Sequence, residues 1–529
     1  MKTSTLTLCL ILTLAAGCSI PNHKPYAERP VTDVLDAATV AKDTRQDALP
    51  GLLRDAPAPE LDAWWKAFAD EPLNRLLAKA YAANRNLAAA RANLAAARAT
   101  WRYQEGALWP QADLGADVSR NRTSHYGRAG YDRYSNYTLN ASARWELDLF
   151  GKNTYLIDAA EAEAQASEAD LKAMWVAVSA DLATYYVELR TLQGRLMVAQ
   201  DNLRLQQDNY DLLADRHASG LTTALVLSQA EYDLHNTAAT IPALKAQITA
   251  AEDAIALLCG VAPGTLPPEI VDIPDFMATQ AQPGDARDEG GRKAIGLRPT
   301  AIPAAKDLNL DDGIPANAIR RRPDVYASER RLKAATDTLG SAKAERYPTV
   351  YISGNFGLDS VHLGDLFDWD SHVYGIGPGV TLPIFHGGQI VANIDIRTEQ
   401  QKAALADYEH TVISALADIR DALSGCTQER QRLSELRQGV RAAQDAYEIA
   451  GNSYDAGIGD FFDLLDAQRQ VLSLDDARVT SEGEIAKQQI ALYRALCGGW
   501  QGQENEDTPN ALFGEAAPEE PLLAPLVQP

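Results

Sequence analysis

The sequence predicts an α+β membrane protein whose protomer is internally duplicated. Landmark residues recur in the same order at a nearly constant offset. One stretch alternates apolar and polar residues for longer than a soluble strand requires. Long helical stretches carry coiled-coil seams on either side of tight turns.

The duplication is read from four landmarks. Gly220-Leu221, within RHASGLTTALVLSQAE, precedes Gly457-Ile458, within SYDAGIGDFFDLLDAQ, by 237 residues. Pro110 and Pro348 lie 238 apart, Phe150 and Phe385 235 apart, and Cys259-Gly260 and Cys497-Gly498 238 apart. A single long unit repeated in tandem differs from the short periods of solenoids, and implies a pseudo-two-fold protomer.

At the N-terminus, Lys2 and the apolar stretch Leu6 to Ala16 read as a secretory signal over residues 1–17, too short for a permanent bilayer span. Leu14-Ala15-Ala16-Gly17-Cys18 resembles a bacterial lipobox, with Ala15 where Leu is usual. On that reading Cys18 is the first mature residue and carries lipid, and Ser19 favours the outer membrane. The plainer alternative is a cleaved signal with an incidental Cys. Residues 18–60 then form a tether.

The first repeat spans 61–260 and the second 316–499. In the first, Leu73 to Leu108 is an Ala-rich helix, and strands follow at 109–120 and 136–150. A helix over 151–217 is about 100 Å long at 1.5 Å per residue. Its seam is Leu171, Trp175, Val178, Leu182, Tyr185, Leu189, Leu192 and Leu196. After the Gly220 turn a second helix, 222–258, runs back with its own seam from Leu227 to Leu258, and Pro242 is expected to kink it or free a carbonyl. The second repeat supplies strands 347–358 and 373–386, a long helix 388–454 and a shorter one 460–497. Residues 261–315 and 500–529, rich in Pro, Gly and charge, read as a linker and a tail.

The strand from Tyr137 is diagnostic. Tyr137, Leu139, Ala141, Ala143, Trp145, Leu147 and Leu149 alternate with Thr138, Asn140, Ser142, Arg144, Glu146 and Asp148. So long an alternation fits a transmembrane β-strand with lipid on one side and water on the other. Gly375, Gly377 and Gly379 suit curvature or close approach. Four strands cannot close a barrel, and an open sheet in hydrocarbon would leave backbone groups unpaired, so copies must assemble. Helices of the predicted length then form a tube projecting from the membrane.

Composition excludes other classes. A net charge of −23 argues against nucleic acid and suits a water-filled, cation-tolerant passage. Cys259, Cys426 and Cys497 make no disulfide framework and read as small buried residues. The eight histidines are scattered, with no HExxH, no Cys-x-x-Cys and no G-x-x-x-x-G-K-[ST] loop. Nothing predicts an enzyme, a cofactor or a metal site.

Several blocks together resemble the TolC-like outer-membrane efflux duct family, and within it the OprM-type lipoprotein branch. They run from Trp64-Trp65-Lys66-Ala67-Phe68 through Asn84-Arg85-Asn86-Leu87, WELDLFGK, IPANAIRRRPDVYASERRLKAA, YPTVYISG, GPGVTLPIFHGGQ and YDAGIGDFFDLLDAQR to Ala495-Leu496-Cys497-Gly498-Gly499-Trp500. The resemblance implies a homotrimer with a twelve-stranded barrel in the outer membrane of a Gram-negative bacterium, a helical barrel across the periplasm and a mixed equatorial region. It implies the exit duct of a tripartite efflux pump for drugs or other small molecules. A periplasmic adaptor and an inner-membrane transporter, of the RND type, would complete the pump.

The family's site residues carry over by position. The turns would be adaptor-docking tips: Ser219, Gly220 and Leu221, with Ala456, Gly457 and Ile458. The periplasmic gate would comprise Phe462 as an apolar position, Asp463 and Asp466 as acidic rings, and Arg469 pairing across protomers. Tyr454 would join that network or pack as the last seam residue. For the charged residues the plain alternative is a solvated coiled-coil face, and for the glycines a turn requirement alone. Gly459 stands where TolC has a gate arginine, and Val226 replaces its acidic partner, so the gate should follow the OprM-like pattern. Rival functions are the duct of a type I protein secretion system and a periplasmic coiled-coil scaffold without a pore.

Overall fold

The computed structural model describes residues 53–54, 63–122, 133–272, 300, 302–305, 314–315, 319 and 321–497. In chain order the main helices are α1 (Glu71–Ala83), α2 (Arg85–Glu105), α3 (Lys152–Ala218), α4 (Ala224–Leu258), α5 (Pro323–Ala344), α6 (Gln389–Asp455) and α7 (Phe461–Ala495). The main strands are β1 (Gln111–Arg122), β2 (Arg133–Leu147), β3 (Thr349–Ser360) and β4 (His372–Thr381). Helices α3 and α6 each have 67 residues, and α4 and α7 each have 35. Every boundary of α6 and α7 lies 237 residues after its counterpart in α3 and α4.

That constant offset corrects one pairing expected from sequence. Cys259 and Cys497 are not equivalent: Cys259 caps α4 as Leu496 caps α7. Cys497, at φ 51°, instead matches Gly260, at φ 65°. Gly260 has no alternative, because a Cβ there would lie 2.3 Å from the Ala83 carbonyl oxygen. Cys259, Cys426 and Cys497 are buried thiols that form no disulfide with one another.

The chain divides into two compact units. The first, from residues 92–169 and 324–412, contains the four-stranded sheet, antiparallel throughout in the order β1-β2-β3-β4. Its register gathers the apolar residues on one face. Leu114, Ala141, Phe356 and Tyr374 form one row, and Ala112, Ala143, Gly354 and Ile376 the next. The opposite face carries rows such as Asp113, Ser142, Asn355 and Gly375. Leu114, Val118, Phe356, Tyr374, Ile376 and Val380 are all exposed. A face this apolar and this bare calls for a non-aqueous neighbour.

Arg144 stacks over the Tyr351 ring, 4.0 Å to its centroid. That ring lies where a Cβ on Gly379 would fall, 2.4 Å away, so Gly379 is a close approach. Strand β4 ends at Thr381 rather than at residue 386. Pro383 has no N–H to continue a ladder. Below the sheet, the Phe150 and Tyr347 rings stack at 5.1 Å, and Asp148 accepts the Asn153 and Thr154 N–H groups at the start of α3.

The second unit is helical and comprises the described parts of 43–91, 170–323 and 413–529. Its aromatic core joins Trp64 to Tyr493, stacked at 5.2 Å, and Tyr81 edge-on to Trp175 at 4.7 Å. Asn84 caps α2 through the Leu87 N–H and donates to the Leu258 carbonyl. The expected α3 seam holds except at Tyr185, which is 42% exposed, while Tyr186 is fully buried. Its hydroxyl donates to Asp70 at 3.0 Å, and Arg190 Nε donates back to that hydroxyl. This polar network holds Tyr186 inward beside the seam, which resumes in register at Leu189, Leu192 and Leu196. Buried Arg190 also donates to the carbonyls of Glu269, Ile270 and Asp272. Those contacts fix the start of the linker, because a stranded buried charge costs about 3–5 kcal/mol. Pro242 lies inside a continuous α4. No helix among the described residues is long and apolar enough to cross a membrane.

Candidate functional site

The site is built at the two hairpin turns of the second unit. Gly220 and Gly457 adopt φ 70° and 72°, a left-handed conformation that costs other residues about 1–2 kcal/mol. Leu221 donates to the Arg216 carbonyl at 2.8 Å and Ile458 to the Ser453 carbonyl at 3.0 Å, the same Schellman closure in both copies. Ser219 Oγ donates to the Asp215 carbonyl, and Ala456 is exposed. Leu221 and Ile458 stand outward, 76% and 84% exposed.

Each turn feeds a capped helix. Thr223 Oγ1 accepts the Val226 N–H at 3.5 Å, and Asp460 Oδ1 accepts the Phe462 N–H at 3.1 Å. The second turn is tighter, because Gly459 also donates to the Ser453 carbonyl. A Cβ on Gly459 would meet Ser453 and Tyr454 atoms at 2.9–3.0 Å.

Beneath the turns lies an apolar cluster of Leu213, Ala230, Ala443, Tyr447, Phe461, Leu464, Leu465 and Val471. Phe461 is only 5% exposed and packs edge-on to Tyr454 at 5.0 Å. Phe462 turns away and is 44% exposed. Asp463 and Asp466 share this outward side, near the positive end of the α7 dipole.

Tyr454 is engaged rather than loose. Arg216 donates to its hydroxyl and also sits over its ring, tying the end of α3 to the end of α6. Arg469 lies 3.7 Å from Asp233 on α4 and 3.6 Å from Asp466. Burial raises the Asp233 carboxyl above its ordinary range; Arg469 opposes the shift and Asp466 adds to it. Asn209 donates to buried Gln468 at 2.9 Å, joining α3 to α7.

The structure thus brings Tyr454, Phe462, Asp463, Asp466 and Arg469 to one end of the hairpins, with the six tip residues. Arg216, Asp233, Phe461 and Gln468 were missed by sequence reasoning. The spacing Phe461, Leu464, Leu465, Gln468 marks the buried face of α7 and could have assigned Phe461 inward. Asp233, between Tyr232 and Leu234 on a seam, was also a visible anomaly. Cys18 lies outside the described residues. Among the described residues no cluster of His, Cys, Asp or Glu could hold a metal.

Comparison with known proteins agrees with this architecture. The profile of the family described as outer membrane efflux protein matches residues 76–261 and 314–498. Outer membrane protein OprJ of Pseudomonas aeruginosa is 30% identical over 497 residues, covering 93% of this chain and 95% of its own. The solved outer-membrane channel OprN is 31% identical with a TM-score of 0.74, over 88% of this chain and 100% of that one. VceC of Vibrio cholerae is 25% identical with a TM-score of 0.72, over 83% of this chain and 99% of that one. The chain belongs to the outer membrane efflux protein family.

Proposed function

We propose that this outer membrane efflux protein is the exit duct of a tripartite pump, carrying small molecules from the periplasmic side to the exterior. The observation that carries the proposal is the sheet of the first unit, apolar and bare on one face, polar on the other and open at both edges. An open sheet edge in hydrocarbon is untenable, so β1 of one copy would pair with β4 of the next. Three copies then close twelve strands into a barrel, and their α-helical hairpins continue it as a periplasmic tube. Cys18 would carry the lipid anchor.

The hairpin turns form the inner end of that tube. Leu221 and Ile458, apolar and exposed, suit docking of a periplasmic adaptor. An inner-membrane transporter, which we take to be of the RND type, supplies the energy. Three-fold symmetry would set Phe462, Asp463 and Asp466 around one axis, where an apolar ring narrows the passage and acidic rings attract cations. The Arg216–Tyr454 bond and the Arg469 contacts tie these helices together and would hold a closed packing. Repacking of α6 and α7 by the adaptor would release them.

Planar-bilayer recording of protein extracted from outer membranes tests this. Cation-selective channels are expected, and Asp463→Asn with Asp466→Asn should lower the cation preference several-fold without loss of trimer. A protein that extracts without detergent and never conducts would refute the duct.

A further inference from the structure

We propose that a small cavity between α3, α4 and α7 binds one ordered water molecule, and that this water is the joint through which the gate helix is held. The cavity is about 10 Å3, room for about one water. Its polar lining is Gln206, Asn209, Asp233, Gln468 and Arg469. Two of these present buried atoms with no partner: Gln206 Oε1, an acceptor, and Gln468 Nε2, a donor. Both residues are more than nine-tenths buried, so each orphaned atom costs about 1–3 kcal/mol unless something meets it.

A water meets all of them. It donates to Gln206 Oε1 and to the Asp233 carboxylate, and accepts from Gln468 Nε2. The Arg469–Asp233 separation of 3.7 Å is beyond direct hydrogen bonding and invites a bridge. Flipping the Gln468 amide gives no escape, because its oxygen already accepts from Asn209. Flipping both amides only exchanges an orphaned nitrogen for an orphaned oxygen. A cation is the poorer occupant, because the Arg469 guanidinium borders the same space.

The site draws one polar residue or more from each of three helices, beside the apolar cluster under the second turn. Water-mediated bonds exchange partners with little penalty, whereas interdigitated side chains repack in discrete steps. Gln206 and Gln468 are therefore positioning residues for α7; this role, unlike the water itself, rests on the duct function proposed above.

The test uses the full-length protein in detergent. A crystal structure fine enough to place waters should show one peak within about 3.2 Å of both Gln206 Oε1 and Gln468 Nε2. An empty cavity, or a direct bond between those two atoms, would overturn the site. In solution, radiolytic footprinting should oxidise buried Leu465, which lines the cavity, through its bound water. The variant Gln206→Leu with Gln468→Leu should dry the cavity and cut that oxidation several-fold; the milder Gln206→Met is the fallback should the double variant misfold. Equal oxidation in wild type and a folded variant would count against the water. Channel openings in bilayers should become several-fold rarer in the dry variant, and an unchanged rate would reject the positioning role. If wild type itself fails to conduct, the duct function falls while the crystal still decides the water.

Discussion

The two hairpin turns share one backbone and differ in what they carry. Both close on a left-handed glycine with matching bonds, and the helices beyond them are equal in length. Yet the positions equivalent to Phe462, Asp463, Asp466 and Arg469 are Leu225, Val226, Gln229 and Tyr232. The second turn also has a shorter cap, an extra backbone bond through Gly459 and a phenylalanine where the first has Ala224. Duplication copied a scaffold that backbone geometry alone enforces. The residues proposed above as the gate stand on one copy only, and that copy is the more tightly braced.

That contrast can be broken at three points. The largest effect is expected from Phe461→Ala, which empties a buried site and should cost about 3–5 kcal/mol in unfolding measurements. A loss below about 1 kcal/mol would mean the apolar cluster does not brace the second turn. Next comes Gly459→Ala, which forces a methyl against Ser453 and should cost about 1–3 kcal/mol. Its counterpart Thr222→Ala, in the exposed first turn, should stay within about 0.5 kcal/mol. Equal losses would erase the asymmetry.

The smallest effect is a pH dependence. The Asp233 carboxyl titrates higher in the folded chain than its ordinary 3.8, chiefly through burial. The folded state therefore holds that proton more firmly. The resulting stability is present below pH 3.8 and is lost as pH rises through the folded value. The slope from this one group is at most about 1.4 kcal/mol per pH unit. Asp233→Asn should remove it from a series of unfolding curves, and an unchanged slope would place the titration elsewhere.

Much of the fold was legible because it rests on periodicity. The seams, the glycine turns and the alternation from Tyr137 are each a local rule repeated many times. The duplication was legible too, although Cys259 against Cys497 misled by one residue. Two cysteines draw the eye more than a backbone position where Gly260 and Cys497 share a positive φ. The candidate site was half legible. Asp463 and Asp466 were found through a resemblance, but their neighbours Arg216, Asp233 and Gln468 were not. Spacing marks Gln468 and Asp233 as candidates for burial, but all three act through contacts between helices far apart in sequence, and no spacing along one helix names those partners.

Sequence by itself determined the doubled architecture, the apolar and polar faces of the sheet and the position of both turns. Each follows from backbone conformational preference and from the period of hydrophobic burial. Tertiary structure alone decided that Tyr186, and not Tyr185, turns inward. It alone set Arg216 against Tyr454, and left Gln206 and Gln468 facing a space the size of a water molecule. Such choices depend on which side chains meet across three packed helices, where rotation by part of a turn exchanges one neighbour for the next.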